Sequence, residues 1–268
     1  MAFASRKFRR EVPAPLKKFR LAFIDIETAP LLIYAWKTYD TNALAIVRDS
    51  YILSFAVKWY GEKTVKTYAL PDFKGYQKNP ENDFEITKKL WEVLNEADAV
   101  CAHNGISFDV PRITAKIYQH KLPPPSPFKQ IDTLRIARKQ FSFTKNNLDH
   151  LCQLSGIGKK VKTGGFDLWV GCMSKDPAAW KKMVAYNKYD VVLLAELYER
   201  LRPWASNHPN VNLLAPKDHQ CPVCSSTNVQ RRGWNTNSAY RTERWQCQAC
   251  SKWSQGAREK IKAKLLRV

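Results

Sequence analysis

Asp25 and Glu27 close an apolar run, LAFIDIETAP, that reads as a short buried strand ended at Pro30. Side chains two apart on a strand share a face, so this pattern projects two carboxylates together from an otherwise apolar element. Such a pair is costly to bury without a compensating positive charge. A hard divalent cation, which prefers oxygen ligands, is the natural compensation. The plain alternative is a strand end that opens into solvent with two hydrated acids. Further carboxylates follow. Asp109 ends the segment HNGISFD, in which Asn104-Gly105 reads as a turn after a strand, and Asp190 lies four residues after Tyr186, on the same face of a helical segment. Four carboxylates and a phenol exceed what one structural ion pair would use.

A second chemical signal lies near the C-terminus. Cys221-Pro-Val-Cys224 and Cys247-Gln-Ala-Cys250 are two CxxC pairs with 22 residues between them. Each pair places two thiolates on a tight turn, and two such turns complete a tetrahedral Cys₄ zinc site. A closed four-sulfur shell leaves no open position, so one Zn²⁺ here is expected to be structural. Two separate redox pairs are the alternative, but neither pair sits in a thioredoxin-like unit. Cys101, Cys152 and Cys172 fall in apolar surroundings and read as core residues. This usage fits a reducing, cytoplasmic (intracellular) compartment rather than a secreted disulfide framework.

The elements that must position these residues are legible in outline. YILSFAVKWY and KTVKTYAL flank Gly61-Glu62 as a β-hairpin, and residues 83–97 show helical spacing with Asn82 or Asp83 as the cap. Residues 98–103 read as a buried strand, 107–120 as a helix closed by KLPPPSP, and KQIDTLRIARKQ as a strand leading into a helix. NNLDHLCQLSGIG reads as a helix ending at glycine, and residues 176–201 as a long helix with Asp176 as its cap and Pro177 in its first turn. Strands and helices in this order give an α/β fold: a mixed β-sheet flanked by helices, with a small C-terminal Cys₄ domain. The expected division is a basic arm over 1–20, a catalytic domain over 21–201, a proline-bearing linker over 202–220, a zinc-binding domain over 221–255 and a basic helix over 256–268.

Taken together, Asp25-x-Glu27, HNG-x-x-Phe-Asp109 and Tyr186-x-x-x-Asp190 resemble the three motifs of the DEDD 3′–5′ exonucleases of the RNase H-like (DnaQ-like) superfamily, in the branch whose third motif carries tyrosine. The resemblance covers residues 20 to 201, and the segment around the two CxxC pairs resembles a zinc ribbon. It implies a 3′–5′ exonuclease that hydrolyses phosphodiesters with two Mg²⁺ or Mn²⁺ ions, the arrangement suited to an in-line displacement. In that pattern Asp25 bridges both ions, Glu27 and Asp190 complete one site, and Asp109 supports the other through water. Tyr186 orients the attacking water, since a phenol near pKa 10 is a poor base. Thr28, Asn104 and Phe108 would meet the 3′-terminal nucleotide, although Phe108 serves equally well as a core residue. His103 reads as a satisfied histidine. Tyr189 is an alternative phenol, about 100° away from the Asp190 face on a helix.

Composition supports a polyanionic partner. The chain of 268 residues has 44 Lys+Arg against 24 Asp+Glu, a formal net charge of +20. The first 20 residues carry seven Lys/Arg and one acid, read as a nucleic-acid-contacting arm in preference to a transit peptide. No apolar stretch reaches the roughly 20 residues of a membrane span, so no membrane partner is expected. Residues 202–268 hold 12 Lys/Arg and 3 Asp/Glu. There Arg231, Arg232, Arg241 and Arg244 interleave with Trp234, Tyr240, Trp245 and Trp253, a mixture suited to phosphate contact and base stacking. Single-stranded DNA is the expected substrate. The alternatives are a structure-specific endonuclease, an RNA exonuclease, or a non-catalytic nucleic-acid-binding adaptor. No polymerase segment follows in this chain, so proofreading is expected in trans, with replication or repair proteins as partners.

Overall fold

A computed structural model describes residues 19–39, 42–213, 219–237 and 240–260. Most of the expected basic arm and the last eight residues lie outside this set. The chain forms two compact units, Arg20–Pro209 and a second within Asn210–Val268.

The first unit is built on a five-stranded mixed sheet. Strand β1 (Leu21–Thr28) lies at its centre, after which the chain makes a short exposed hairpin of β2 (Leu32–Tyr34) and β3 (Ala45–Arg48). Then follow β4 (Ile52–Trp59), β5 (Val65–Ala69), helix α1 (Phe84–Glu96), β6 (Ala99–Ala102), α2 (Asp109–Gln119), β7 (Lys129–Asp132), α3 (Thr133–Gln140), α4 (Leu148–Leu154), α5 (Asp167–Met173) and α6 (Pro177–Leu201). The strand order is β5-β4-β1-β6-β7. β1 and β4 run antiparallel, as do β4 and β5, while β6 and β7 extend the sheet in parallel. The small β2–β3 hairpin and α5 are absent from the sequence expectation. Both are short, and α5 has only two fully buried side chains, so neither has a long amphipathic signature.

Alternation along β1 decides what each face of the sheet does. Ala22, Ile24 and Ile26 belong to the apolar core that also holds Ile86, Leu90 and Leu94 of α1 and Ile113 and Ile117 of α2. Phe23 points to the other face, where its ring meets Tyr198 of α6 edge-on at 5.2 Å. Truncating such a buried aromatic to alanine costs about 3–5 kcal/mol. Asp25 and Glu27 continue the Phe23 row toward the C-terminal end of the strand. Their neighbours on β4 in the same register are Ala56 and Ser54, both fully buried and small, which leaves room above the carboxylates.

Two caps refine the sequence expectation. Asp176 caps α6 by accepting from the Ala178 N–H at 2.9 Å. For α1 the local bond belongs to Asn82, which accepts from the Phe84 N–H at 3.0 Å. Asp83 turns inward instead, accepting from the Ile52 N–H at 3.0 Å and meeting His120 Nε2 at 2.6 Å. The expected linker is divided. Arg202–Trp204 form a helical turn at the end of α6, Arg202 donates to the Tyr60 hydroxyl at 2.7 Å, and His208 bonds the Tyr198 hydroxyl at 2.6 Å. These residues therefore pack as part of the first unit, because α6 and the sheet offer them buried partners.

The second unit is a three-stranded antiparallel sheet, β10-β9-β8, beside the two CxxC turns: β8 (Val229–Thr236), β9 (Tyr240–Cys247) and β10 (Trp253–Lys260). Asn212 donates to the Cys221 carbonyl at 2.8 Å and anchors the preceding segment to the first turn. The basic helix expected from residue 256 is corrected, since Gly256–Lys260 are strand, paired with β9 through Arg258, Glu259 and Lys260. Pairing with β9 overrides a weak helical pattern in this short segment. Residues 261–268 lie outside the described set.

Candidate active site and zinc centre

The first unit gathers carboxylates from three separate elements. Asp25 and Glu27 come from β1 and Asp190 from the middle of α6, with ligand oxygens all within 4.8 Å of one another. Asp109 opens α2 and is 3 % exposed. Its Oδ1 accepts from the Ile26 N–H at 3.2 Å, which locks it to the strand between the two β1 acids. It stands outside the three-carboxylate group.

The turn before Asp109 is held from below. Asp132 of β7 accepts from the backbone N–H groups of Asn104 at 3.0 Å and Ile106 at 3.3 Å, while also capping α3. Asn104 adopts a left-handed φ of 72°, which asparagine tolerates. Gly105 is required by close approach, because a Cβ there would lie 2.4 Å from that of Ala102. Phe108 packs against the core and carries the Arg112 guanidinium 3.8 Å over its ring, so its core role is occupied. Thr28 is half-buried at the end of β1, where the register with β4 slips. His103 is satisfied on both nitrogens, by Thr133 Oγ1 and the Asn146 carbonyl, each at 2.9 Å, and burial lowers its pKa to about 4. Cys101, Cys152 and Cys172 are buried, as expected.

Three residues not singled out in the sequence complete the cluster. Lys160, in the loop after α4, places its ammonium 2.6 Å from Asp190 Oδ2 and 2.9 Å from the Tyr186 hydroxyl. Asn187 donates to Asp25 Oδ2 at 2.6 Å and to the Asp25 carbonyl at 3.2 Å. Trp169 of α5 packs edge-on to Tyr186 at 6.3 Å and pulls the Glu27 pKa down against its burial. A lysine among many and an asparagine inside a helix carry no spacing signal that marks them. Tyr186, rather than Tyr189, faces this cluster. The Tyr189 hydroxyl lies beside Gly158.

The electrostatics describe a site short of positive charge. Burial, then repulsion from Glu27, Asp109 and Asp190, pushes Asp25 well above the usual carboxylate range. Burial raises Glu27 to about 8, against the pull of Lys160, and Asp109 to about 7. Asp190 is also raised by burial, with Lys160 opposing. Tyr186 is held protonated by burial. Burial alone would lower the Lys160 pKa, but Asp190 outweighs it and keeps the ammonium charged. Lys160 is thus set against Asp25, Glu27 and Asp190, Arg112 eases Asp109, and Oδ1 of Asp190 is buried with no hydrogen-bond partner among the described residues. An unpartnered buried carboxylate oxygen beside converging oxygen ligands is the donor set for a hard divalent cation.

In the second unit, the Sγ atoms of Cys221 and Cys250 are 3.7 Å apart, as are those of Cys224 and Cys247. A tetrahedron with Zn–S bonds of about 2.3 Å has edges of about 3.8 Å. Both CxxC turns close alike, with Ser225 N–H donating to the Cys221 carbonyl and Ser251 N–H to the Cys247 carbonyl, each at 3.0 Å. Both serines take the left-handed region, at φ 59° and 63°. The Cys247 thiol is held at about 7 despite its burial, because the N–H groups of Cys250 and Ala249 point at it. The four sulfurs fit one Zn²⁺.

The arginines of this unit are not equivalent. Arg231 pairs with Glu243 at 3.0 Å and Arg241 with Glu259 at 2.9 Å, and both guanidinium groups lie over Trp234. Arg244 lies over Trp253 at 4.8 Å, and Arg232 is exposed.

Among solved structures, the family B DNA polymerase from the hyperthermophilic archaeon Pyrobaculum calidifontis is similar in fold, with a TM-score of 0.50 and 17 % identity over 73 % of this chain. The match spans 26 % of the polymerase chain, so this protein corresponds to about a quarter of its length. A comparison with curated protein sequences finds no match. No helix among the described residues is long and apolar enough to cross a membrane. The family model of the RNase H superfamily matches residues 22–202, the span that carries the sheet, α6 and all four carboxylates, and the chain belongs to that superfamily.

Proposed function

We propose that this protein is a metal-dependent nuclease, acting as a 3′–5′ exonuclease on single-stranded DNA and using the zinc-binding unit to hold nucleic acid. The observation that carries the nuclease reading is the convergence of Asp25, Glu27 and Asp190 oxygens within 4.8 Å. It is supported by the burial, joined at Asp25 and Glu27 by repulsion from neighbouring acids, that keeps these groups above their normal pKa until positive charge arrives. Asp25, Glu27, Asp109 and Asp190 would hold two Mg²⁺ or Mn²⁺ ions. When bound, such ions polarise the phosphate and supply a nucleophile at neutral pH.

The chain's own residues do the rest. Tyr186, kept protonated, donates or accepts one hydrogen bond to orient the attacking water, with Lys160 holding its hydroxyl in place. Asn187 fixes the rotamer of Asp25. Trp169 and Tyr186 wall the site beside Glu27. Asn104, in the turn before Asp109, and Thr28, which follows Glu27 on β1, are assigned to the 3′-terminal nucleotide. Polarity rests on the motif resemblance, and replication or repair proteins are the partners that reading implies. The test is digestion of 5′-end-labelled and 3′-end-labelled single- and double-stranded DNA and RNA with Mg²⁺ or Mn²⁺. Stepwise release of mononucleotides that needs a free 3′ end supports the proposal. Internal cuts, or cleavage of RNA alone, would move it to an endonuclease or an RNA exonuclease on the same site.

A further inference from the structure

The three-stranded sheet of the second unit separates its charges by face. Paired residues on neighbouring antiparallel strands share a face, so the register sorts the side chains. One face carries Arg241, Glu243 and Trp245 of β9, with Arg231 and Trp234 of β8 and Glu259 of β10. Its two arginines are each matched by a carboxylate. It is also closely packed. A Cβ on Gly256 would lie 2.9 Å from Glu243 Oε2 and 3.0 Å from Trp245 Nε1, so a larger residue at that bulge would have to displace the Glu243 carboxylate.

The opposite face carries Tyr240 and Arg244 of β9 with Trp253, Arg258 and Lys260 of β10. Both acids of the described sheet, Glu243 and Glu259, lie on the first face, so this one has cations and no carboxylate. Its arginines are stacked on aromatic rings, Arg258 over Tyr240 at 3.6 Å and Arg244 over Trp253 at 4.8 Å. Stacking holds a guanidinium plane and leaves its in-plane N–H groups for phosphate oxygens. Trp253 is 45 % exposed and, with Asn235, Arg244 and Gln255, lines a shallow groove.

We propose that this acid-free face is the surface on which the zinc-binding unit holds single-stranded nucleic acid: Arg244, Arg258 and Lys260 meet the phosphates and Trp253 and Tyr240 the bases. Arg231 and Arg241 instead hold the fold through their carboxylates. Charge complementarity selects a polyanion, and the exposed aromatic groove selects unpaired bases over a duplex. The inference rests on the reading of this chain as a nucleic-acid enzyme and deepens it.

The test uses the full, zinc-loaded chain carrying Asp25→Asn to prevent cleavage. Binding of a fluorescent oligothymidylate is followed by anisotropy across a salt series. Arg244→Gln/Arg258→Gln is compared with Arg231→Gln/Arg241→Gln, which removes the same charge. The first double variant is expected to weaken binding by about tenfold or more and to reduce the salt slope by about 1.4, the value for two lost single-strand phosphate contacts. The second should change affinity by less than about threefold, as paired charges contribute little to phosphate binding. Equal losses in both, or no loss in either, would overturn the proposal. In the latter case a protein becomes the occupant to seek. Photocrosslinking with an iodouracil-substituted oligonucleotide avoids the arginine variants. Adducts at Trp253 or Tyr240 support the face, and adducts at Trp234 refute it. Hydrolysis by the parent chain is scored separately. A chain that binds through this face but cuts nothing retains this inference and loses the exonuclease reading, and the converse result does the reverse.

Discussion

The Asn187 side-chain amide donates to Asp25 Oδ2 at 2.6 Å, joining the middle of α6 to the end of β1 across 162 residues of chain. One face of the helix thereby supplies Asn187 to hold an acid and Asp190 to join it. Asn187 sets the orientation of the carboxylate that the metal reading places at the centre. Asn187→Ala is expected to lower the apparent Mg²⁺ affinity and the turnover by about 10–100-fold, the usual effect of removing a group that orients a metal ligand. Asn187→Asp should be worse, because it adds a fifth carboxylate. Hydrolysis rate as a function of Mg²⁺ concentration measures both, and an unchanged metal dependence in Asn187→Ala would remove this role.

Glu27 places a pH signature on the metal-free protein. Its folded-state pKa of about 8 lies above the ordinary value of 4.5. Below 4.5 the folded and unfolded chains are both protonated there, so the group costs nothing. As pH rises from 4.5 to about 8 the unfolded chain ionises more readily, and the folded state loses stability until the penalty is complete above 8. Asp109, raised to about 7, adds in the same direction. Thermal unfolding in metal-free buffer should therefore show a falling Tm over this window, recovered on adding Mg²⁺ or Mn²⁺. Glu27→Gln should raise the metal-free Tm near pH 8 and flatten the trend while abolishing hydrolysis.

Lys160 pairs with Asp190 and is the cation that lowers Glu27. Lys160→Gln removes that pull, so the carboxylates hold their protons more tightly. The acid limb of the pH–rate profile is expected to move to higher pH, with turnover near neutrality lower by about 10–100-fold. A profile that keeps its shape while falling uniformly would instead give Lys160 a packing role.

Asp25→Ala and Glu27→Ala should each reduce hydrolysis by more than about a thousandfold, since each removes a group that acts in the transition state. Binding of oligonucleotide should persist. Residual hydrolysis near that of the parent chain would refute the assignment of this cluster.

Metal content tests the second unit. The intact chain should contain about one zinc per molecule by elemental analysis, and Cys247→Ser should lose it, because zinc binding by such sites is folding free energy of about 10–16 kcal/mol. The sheet around Trp245 and Trp253 should lose its near-ultraviolet signal in the same variant.

What the sequence determined by itself was the chemistry carried by spacing. An apolar run with acids two apart put Asp25 and Glu27 on one face, helical spacing put Tyr186 with Asp190, and paired CxxC turns marked the four sulfurs. These signals are local, set by the periods of strand and helix. The order of strands and helices carried the α/β class for the same reason. Tertiary structure alone decided the partners. Lys160 reaches Asp190 from a loop 30 residues away, and Asp132 shapes the Asn104 turn from a neighbouring strand. It also divided the arginines. Arg231 and Arg244 look alike in sequence, but cross-strand register gives one a carboxylate and leaves the other on an acid-free face. It turned Gly256–Lys260 into strand by offering them β9. Pairing across a sheet joins residues by position in space, and no period along the chain records it.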